Sequence, residues 1–209
     1  MANSDPTSSI ENSVTEIDGQ RKPRILLGAC GSVAATKFGL VMEAFSEWAE
    51  IKAVVTETGF QFVGSSEAAP LMFEGVEIFC DYHDWNSWKM IGDTVLHIAL
   101  RDWADIMVIA PLSAHTLAKI AGGLCDNLLT SIVRAWDYKK PMFIAPSMNT
   151  CVWKNRLTEQ HFMTIDELGI SLIPPVRNLP THMSEMPDPS IISSHVKRFC
   201  NSNIPKDEV

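Results

Sequence analysis

Apolar runs rich in aliphatic and β-branched residues recur along the chain, and between them lie segments whose apolar positions repeat at helical spacing. The runs are nearly unbroken, as in strands covered on both faces, and alternation with helices is the pattern of a parallel α/β sheet. Strands are predicted at Arg24–Ala29, Ile51–Thr56, Ile106–Pro111, Pro141–Ser147 and Ser171–Ile173, with one more near Val76–Cys80. A first helix is expected from Val33 to Ala49, with Val33, Phe38, Val41, Phe45 and Trp48 on one apolar face. Further helices are expected at Ala114–Ala121, Asp126–Trp136, Leu157–Leu168 and Ser190–Phe199, and Gly169 stands where a helix C-cap glycine belongs.

The 209 residues are 46% hydrophobic and 20% charged, enough for one domain with a sizeable core. The expected organisation is a disordered leader over residues 1–22, a single domain over 23–200 and a tail over 201–209. The formal net charge of −8 argues against nucleic acid or an anionic membrane as partner, because either needs a cationic face. No apolar run approaches the roughly 20 residues of a membrane span. The first residues lack both a basic start with an apolar core and the acid-poor composition of a transit peptide, so a cytoplasmic location is expected. Five cysteines without a C-x-x-C pair and six histidines without ligand spacing point to reduced thiols and no metal site.

In open parallel sheets, ligands gather beyond the strands' carboxyl ends. Four such ends stand out. In "GACGSVAATK" (28–37) Gly31, Ser32 and Val33 open a helix, where free N–H groups and a hydroxyl suit a phosphate or form a plain N-cap. In "VVTETG" (54–59) Thr56 and Thr58 offer hydroxyls to a ligand or a cap. In "IAPLSAHTLAKIAGGLCDN" (109–127) Ser113 and Thr116 flank another helix start, and Gly122 and Gly123 permit close backbone approach. The fourth, "IAPSMNTCVW" (144–153), runs out of a buried strand into Met148 and Asn149, whose amide either holds a substrate carboxylate or caps the next turn. His97, in "GDTVLHIALRDWAD", lies between Leu96 and Ile98, where a satisfied core histidine is the ordinary reading.

Together, "GSVAA", "DTVLHIALRDWAD", "APLSAHTLAKIAGGLCDNLL", "RAWD" and "PSMN", in this order over roughly residues 21–176, resemble the homo-oligomeric flavin-containing cysteine decarboxylases. Within that family the pattern is most similar to the members acting on 4′-phosphopantothenoylcysteine, especially the plant halotolerance flavoproteins. The resemblance implies a single-domain, flavodoxin-like Rossmann three-layer parallel sheet that assembles as a trimer with FMN at subunit contacts. Gly31, Ser32, Val33, Thr56, Thr58, Ser113 and Thr116 match the family's flavin-binding positions. His97 matches its active-site histidine, and Asn149 its substrate-binding asparagine, beside Met148. In family trimers the histidine and asparagine come from different subunits. The implied reaction oxidises a cysteinyl substrate with FMN to a thioaldehyde, whose C=S bond is the electron sink for loss of carbon dioxide. His97 would take the thiol proton or steady the thiolate, and Asn149 would orient the carboxylate.

The match breaks after "LGISLIPPV". The family's glycine-rich flap, with the cysteine that supplies a proton for reducing the enethiol, is replaced by "RNLPTHMSEMPDPS", in which His182 is one candidate substitute. The family's S-A-N-T reads Ser113-Ala114-His115-Thr116 here, and Val152 stands where a second methionine is usual. Three readings follow. The chain is an FMN-dependent decarboxylase of a small cysteinyl substrate, with the enethiol as product if reduction fails. It is a subunit of mixed trimers with a full-length relative. Or it is a non-catalytic regulatory homologue of the phosphatase-inhibitor or salt-tolerance type.

Overall fold

The computed structural model describes residues 21–63, 75–178 and 183–203. Among these the strands are β1 (Arg24–Ala29), β2 (Glu50–Val55), β3 (Glu77–Phe79), β4 (Ile106–Leu112), β5 (Met142–Pro146), β6 (Met148–Asn149), β7 (Ser171–Leu172), β8 (Val176–Asn178) and β9 (Met183–Glu185). The helices are α1 (Phe38–Ser46), α2 (Glu57–Val63), α3 (Asp81–Ser87), α4 (Leu96–Trp103), α5 (Ala114–Ala121), α6 (Leu128–Ala135), α7 (Thr150–Trp153), α8 (Arg156–Glu167) and α9 (Pro189–Asn203).

Six strands form one sheet in the order β3-β2-β1-β4-β5-β7, every neighbouring pair parallel. This is the doubly wound order in which the chain winds outward from β1 in one direction and from β4 in the other. The central strands bury every residue from Ile25 to Ala29 and from Ile106 to Leu112. Their side chains alternate between two cores. Ile25, Leu27 and Ala29 face one that includes Phe38, Val41 and Phe45 of α1 with Ile192 and Val196 of α9. Leu26, Met107 and Ile109 face the other, with Leu117 of α5, Ile132 of α6 and Ile165 of α8. The three-layer parallel sheet expected from the sequence is thus the observed architecture.

The helix expected over Val33–Ala49 is divided. Ser32 caps a 3-10 turn at Val33–Lys37, and the α-helix proper starts at Phe38. The turn winds more tightly than the helix and shifts its face. Val33 is therefore 63% exposed, whereas Phe38, Val41 and Phe45 are fully buried. Gly122 and Gly123 do not bring a second backbone close. Gly122 is the C-cap of α5, and Gly123, at φ +69°, turns the chain out of it. Gly169, at φ +80°, ends α8 as expected.

The sequence pattern did not predict α2, α3, α4, α7 or the small antiparallel sheet β6-β9-β8. That sheet matters for the site. Asn149 of β6 pairs with Met183 of β9, so the segment that follows β7 is tied to the end of β5. His182 lies outside the described residues. No helix among the described residues is long and apolar enough to cross a membrane.

Candidate active site

Because the large sheet is parallel, the loops after β1, β2, β4 and β5 leave it at one end. Backbone hydrogen bonds tie them in a row. Thr56 N–H donates to Ala29 O at 3.0 Å, Cys30 N–H to Pro111 O at 3.2 Å, and Ser147 N–H to Leu112 O at 3.0 Å. The Ser32 hydroxyl reaches Ser147 O at 3.5 Å. Four regions dispersed in sequence are thus brought together at the switch point between β1 and β4, where doubly wound sheets bind ligands.

Each loop ends in a capped helix or turn. Ser32 accepts from Ala34 N–H, Thr56 from Gly59 N–H at 3.1 Å, Ser113 from Thr116 N–H at 3.2 Å, and Asn149 from Cys151 N–H at 2.8 Å. The capping reading of these side chains is therefore correct, and it does not compete with ligand binding. A capped first turn still presents its free N–H groups beyond the strand end, which is a ready anion site.

The expected cofactor residues fall into two layers. Thr56, Ser113 and Thr116 are buried, their hydroxyls engaged inside the fold, with Ser113 Oγ 3.2 Å from Thr116 Oγ1. Gly31 and Ser32 are half-buried, whereas Val33 and Thr58 are exposed at the rim. Gly31 is pressed against Thr58. A Cβ at position 31 would lie 2.6 Å from Thr58 Oγ1 and 2.8 Å from Thr58 Cβ. The bare backbone at Gly31, with neutral hydroxyls and helix N-termini around it, forms a cradle suited to a phosphate and a polyol chain. The donor set fits an FMN tail without a metal or a cationic side chain.

Beneath the cradle, burial pushes the Cys30 thiol up, against hydrogen bonds with Thr116 and Ser113 that pull it down. This cysteine is a packed core residue, not a nucleophile. All five cysteines are free.

His97 is in the first turn of α4, and α4 packs between α3 and α6. It is not the satisfied core residue that its apolar neighbours in sequence indicate. Its side chain is 29% exposed, while Nδ1 is sealed from solvent and makes no hydrogen bond. Asp84 Oδ1 stands 3.5 Å from that nitrogen, close enough for attraction but outside hydrogen-bond geometry. Asn149 is exposed, where β6 and α7 pack on β9 and α8. Met148, beside it, is buried. Asn149 Oδ1 is spent on the cap, so its NH₂ group carries the donor capacity a carboxylate needs.

Asp84 is absent from the residues singled out by sequence reasoning. The available signal was the i, i+3 pair Asp81 and Asp84 on one face of a short helix. It went unread because none of α3's residues is buried, so no apolar period marks the helix.

The chain matches the Flavoprotein family over residues 13–201. It belongs to that family. It is 53% identical over 209 residues to "Phosphopantothenoylcysteine decarboxylase HAL3" of Malus domestica, a match covering 98% of this chain and 95% of the relative. Among solved structures it superposes on "The FMN binding protein AtHal3" with a TM-score of 0.82 and 53% identity, over 88% of this chain and all of that one. A mutant PPC decarboxylase complexed with pantothenoylaminoethenethiol gives a TM-score of 0.80 at 53% identity, over 87% of this chain and all of that one. The family's cofactor is a flavin, and the neutral cradle at Gly31 has the chemistry that a flavin's phosphate end takes.

Proposed function

We propose that this flavoprotein is an FMN-dependent decarboxylase of 4′-phosphopantothenoylcysteine, acting in coenzyme A synthesis and in the cytoplasm. The observation that carries the reading is the site itself. A half-exposed histidine and an exposed asparagine flank the row of capped strand ends, in a chain that shares more than half its residues with a phosphopantothenoylcysteine decarboxylase.

Gly31, Ser32, Val33 and Thr58 would hold FMN directly, with Thr56, Ser113 and Thr116 fixing the turns below. Bound FMN supplies a two-electron oxidation of the substrate's cysteinyl thiol, creating the C=S group that stabilises the carbanion left by carbon dioxide. With Nδ1 of His97 sealed, Nε2 is the nitrogen able to meet a substrate, and it takes the thiol proton. The Asn149 NH₂ group, steadied by its cap bond, orients the carboxylate, with Met148 packed behind it. With no cysteine in "RNLPTHMSEMPDPS" to give the proton for reduction, this chain alone yields the enethiol and carbon dioxide and leaves the electron pair on FMN for an external oxidant such as dioxygen. The saturated thiol of coenzyme A synthesis then requires the flap cysteine of a full-length relative.

His97 stands on α4, beside α3 and α6, and Asn149 on β6, beside β9 and α7, and a second copy would complete the site, as the resemblance to the family's trimers implies. The surface around α3 and α4 supports a trimer. Tyr82, Trp85, Trp88, Met90 and Ile91 are 51–95% exposed, an apolar concentration unusual for a monomer's surface. The same surface would admit a full-length relative carrying the flap cysteine. Native mass spectrometry of the two co-expressed chains separates homotrimers from mixed ones.

The deciding experiment is mass spectrometry of the product formed from 4′-phosphopantothenoylcysteine by the FMN-loaded protein. Loss of carbon dioxide with a hydrogen pair identifies the enethiol. Loss of carbon dioxide alone shows that reduction is completed, and unchanged substrate overturns the reading.

A further inference from the structure

We propose that Asp84 is the positioning residue for His97, holding its ring in the Nδ1–H tautomer so that Nε2 is the nitrogen that reacts. The inference rests on the reading of His97 as the proton acceptor, and it adds a residue outside the flavin cradle to the same site.

The first support is the state of Nδ1. A ring nitrogen cut off from water without a partner is costly, whether it carries a proton or a lone pair. Asp84 Oδ1, at 3.5 Å, is the acceptor within reach, and a shift of about half an ångström brings the pair to ordinary N–H···O length. A carboxylate accepts and does not donate, so the nitrogen facing it is the one that bears hydrogen. The neutral ring then keeps its lone pair on Nε2.

The second support is how firmly Asp84 is set. Helix α3 is short and wholly non-buried, yet two side-chain connections fix its first turn. The Cys80 N–H donates to His83 Nδ1 at 3.1 Å, with the Cys80 sulfur 3.2 Å from the same nitrogen. Asp81 Oδ1 accepts the Leu128 N–H at 2.7 Å, joining α3 to the start of α6. Asp84 is one turn beyond Asp81 on the same face and so is carried against α4, itself packed on α6. Its side chain is 21% exposed, which limits competition from water for its oxygens. Within one subunit Tyr82 and Trp85 are 70% and 82% exposed, so the subunit's own core does not hold α3. Its anchoring is polar and ends at His97.

This is an orienting carboxylate behind a histidine. Such a group selects the tautomer and steadies the imidazolium once the substrate proton has moved, without itself taking the proton.

The test uses ¹⁵N-histidine-labelled, FMN-loaded protein. Long-range ¹H–¹⁵N spectra, with His97 assigned through His97→Asn, report which ring nitrogen is protonated in the neutral form. The expected result is Nδ1–H in the parent, loss of that preference in Asp84→Ala, and its return in Asp84→Glu. In turnover of 4′-phosphopantothenoylcysteine with dioxygen present to reoxidise FMN, Asp84→Ala should lower kcat by about 10- to 100-fold with little change in KM. Asp84→Glu should recover most of the loss. FMN absorbance at parental stoichiometry in both variants confirms intact folding. An Nε2–H ring in the parent, or an Asp84→Ala spectrum equal to the parent's, overturns the proposal. If His97→Asn turns over normally, the catalytic reading of His97 fails instead, while the spectra still decide whether Asp84 sets the tautomer.

Discussion

Gly31→Ala is the sharpest test of the cradle, because the new methyl has nowhere to go. Its position lies 2.6 Å from Thr58 Oγ1, 2.8 Å from Thr58 Cβ and 3.4 Å from the Thr58 carbonyl carbon. Rotating χ1 of the exposed Thr58 side chain removes the first contact but not the second, since Cβ moves only with the backbone. The β1 loop or the first turn of α2 must therefore shift. Overpacking of this kind costs about 1–3 kcal/mol. For a chain of this length that corresponds to a drop of about 2–12 °C in the unfolding midpoint. The shift also separates the loops at the expected phosphate position, so FMN affinity should fall by about tenfold for each 1.4 kcal/mol of misfit.

The assay is thermal unfolding of the FMN-free protein together with fluorescence titration of FMN. A double-mutant cycle assigns the cause. Thr58→Ala leaves the Cβ in place and should relieve little, whereas Thr58→Gly removes the obstacle and should recover most of the loss from Gly31→Ala. A Gly31→Ala protein within about 0.5 kcal/mol of the parent, or Thr58→Gly and Thr58→Ala relieving it equally, would refute the reasoning.

Three further outcomes are expected. His97→Asn should lower decarboxylation by about 10²- to 10⁴-fold, the usual worth of a general base, while FMN absorbance is retained. Burial works to raise the Asp105 carboxyl, but hydrogen bonds from Arg21 and from Arg24 N–H, with the Arg21 charge, outweigh it and hold the group below the ordinary carboxylate range. A depressed carboxyl stabilises the fold above its unfolded pKa and loses that contribution as pH falls through its folded value. Asp105→Asn should therefore flatten the acid limb of the stability profile, measured by denaturant midpoints from neutral to strongly acidic pH. Brief iodoacetamide treatment of the folded protein should label the exposed Cys125 and Cys151 first, while the buried Cys30 and Cys200, whose thiols burial pushes up, react only on unfolding; peptide mass spectrometry reads the order.

What the sequence disclosed and what it hid have a common physical origin. β1 and α5 were legible to the residue, because strands buried on both faces and helices packed on them must carry apolar residues at their own period. Helices α2, α3 and α7 escaped because they are seven, seven and four residues long and bury little or nothing. Strands β6, β8 and β9, of two to three residues each, are too short to show any alternation. Within the site, the capped strand ends announced themselves through Ser and Asn at the end of apolar runs. The partner of His97 did not, since a contact spanning 13 positions between two exposed segments leaves no local pattern. Val33 was assigned to the apolar face by spacing alone, and the 3-10 turn that exposes it is not encoded in that spacing.

The same division bears on the proposed stop at the enethiol. The residues proposed to bind FMN, with Asn149, stand just beyond strand ends whose positions the two cores dictate, and His97 stands in the first turn of α4, which packs on α6. The segment in question lies between Ile173, the last buried residue after β7, and Met186, where core burial resumes ahead of α9. The described residues from Pro174 to Val176 and Glu185 are not buried, and the backbone here is engaged in the β8-β9-β6 ladder, which any side chain tolerates. A change of side chains among the described residues of this segment therefore leaves the backbone pairing of Asn149 with Met183 in place. On the proposed reading an enethiol product is what such a separation yields: the decarboxylating half rests on positions the cores hold, and the reducing half on a ladder segment whose side chains are free to change.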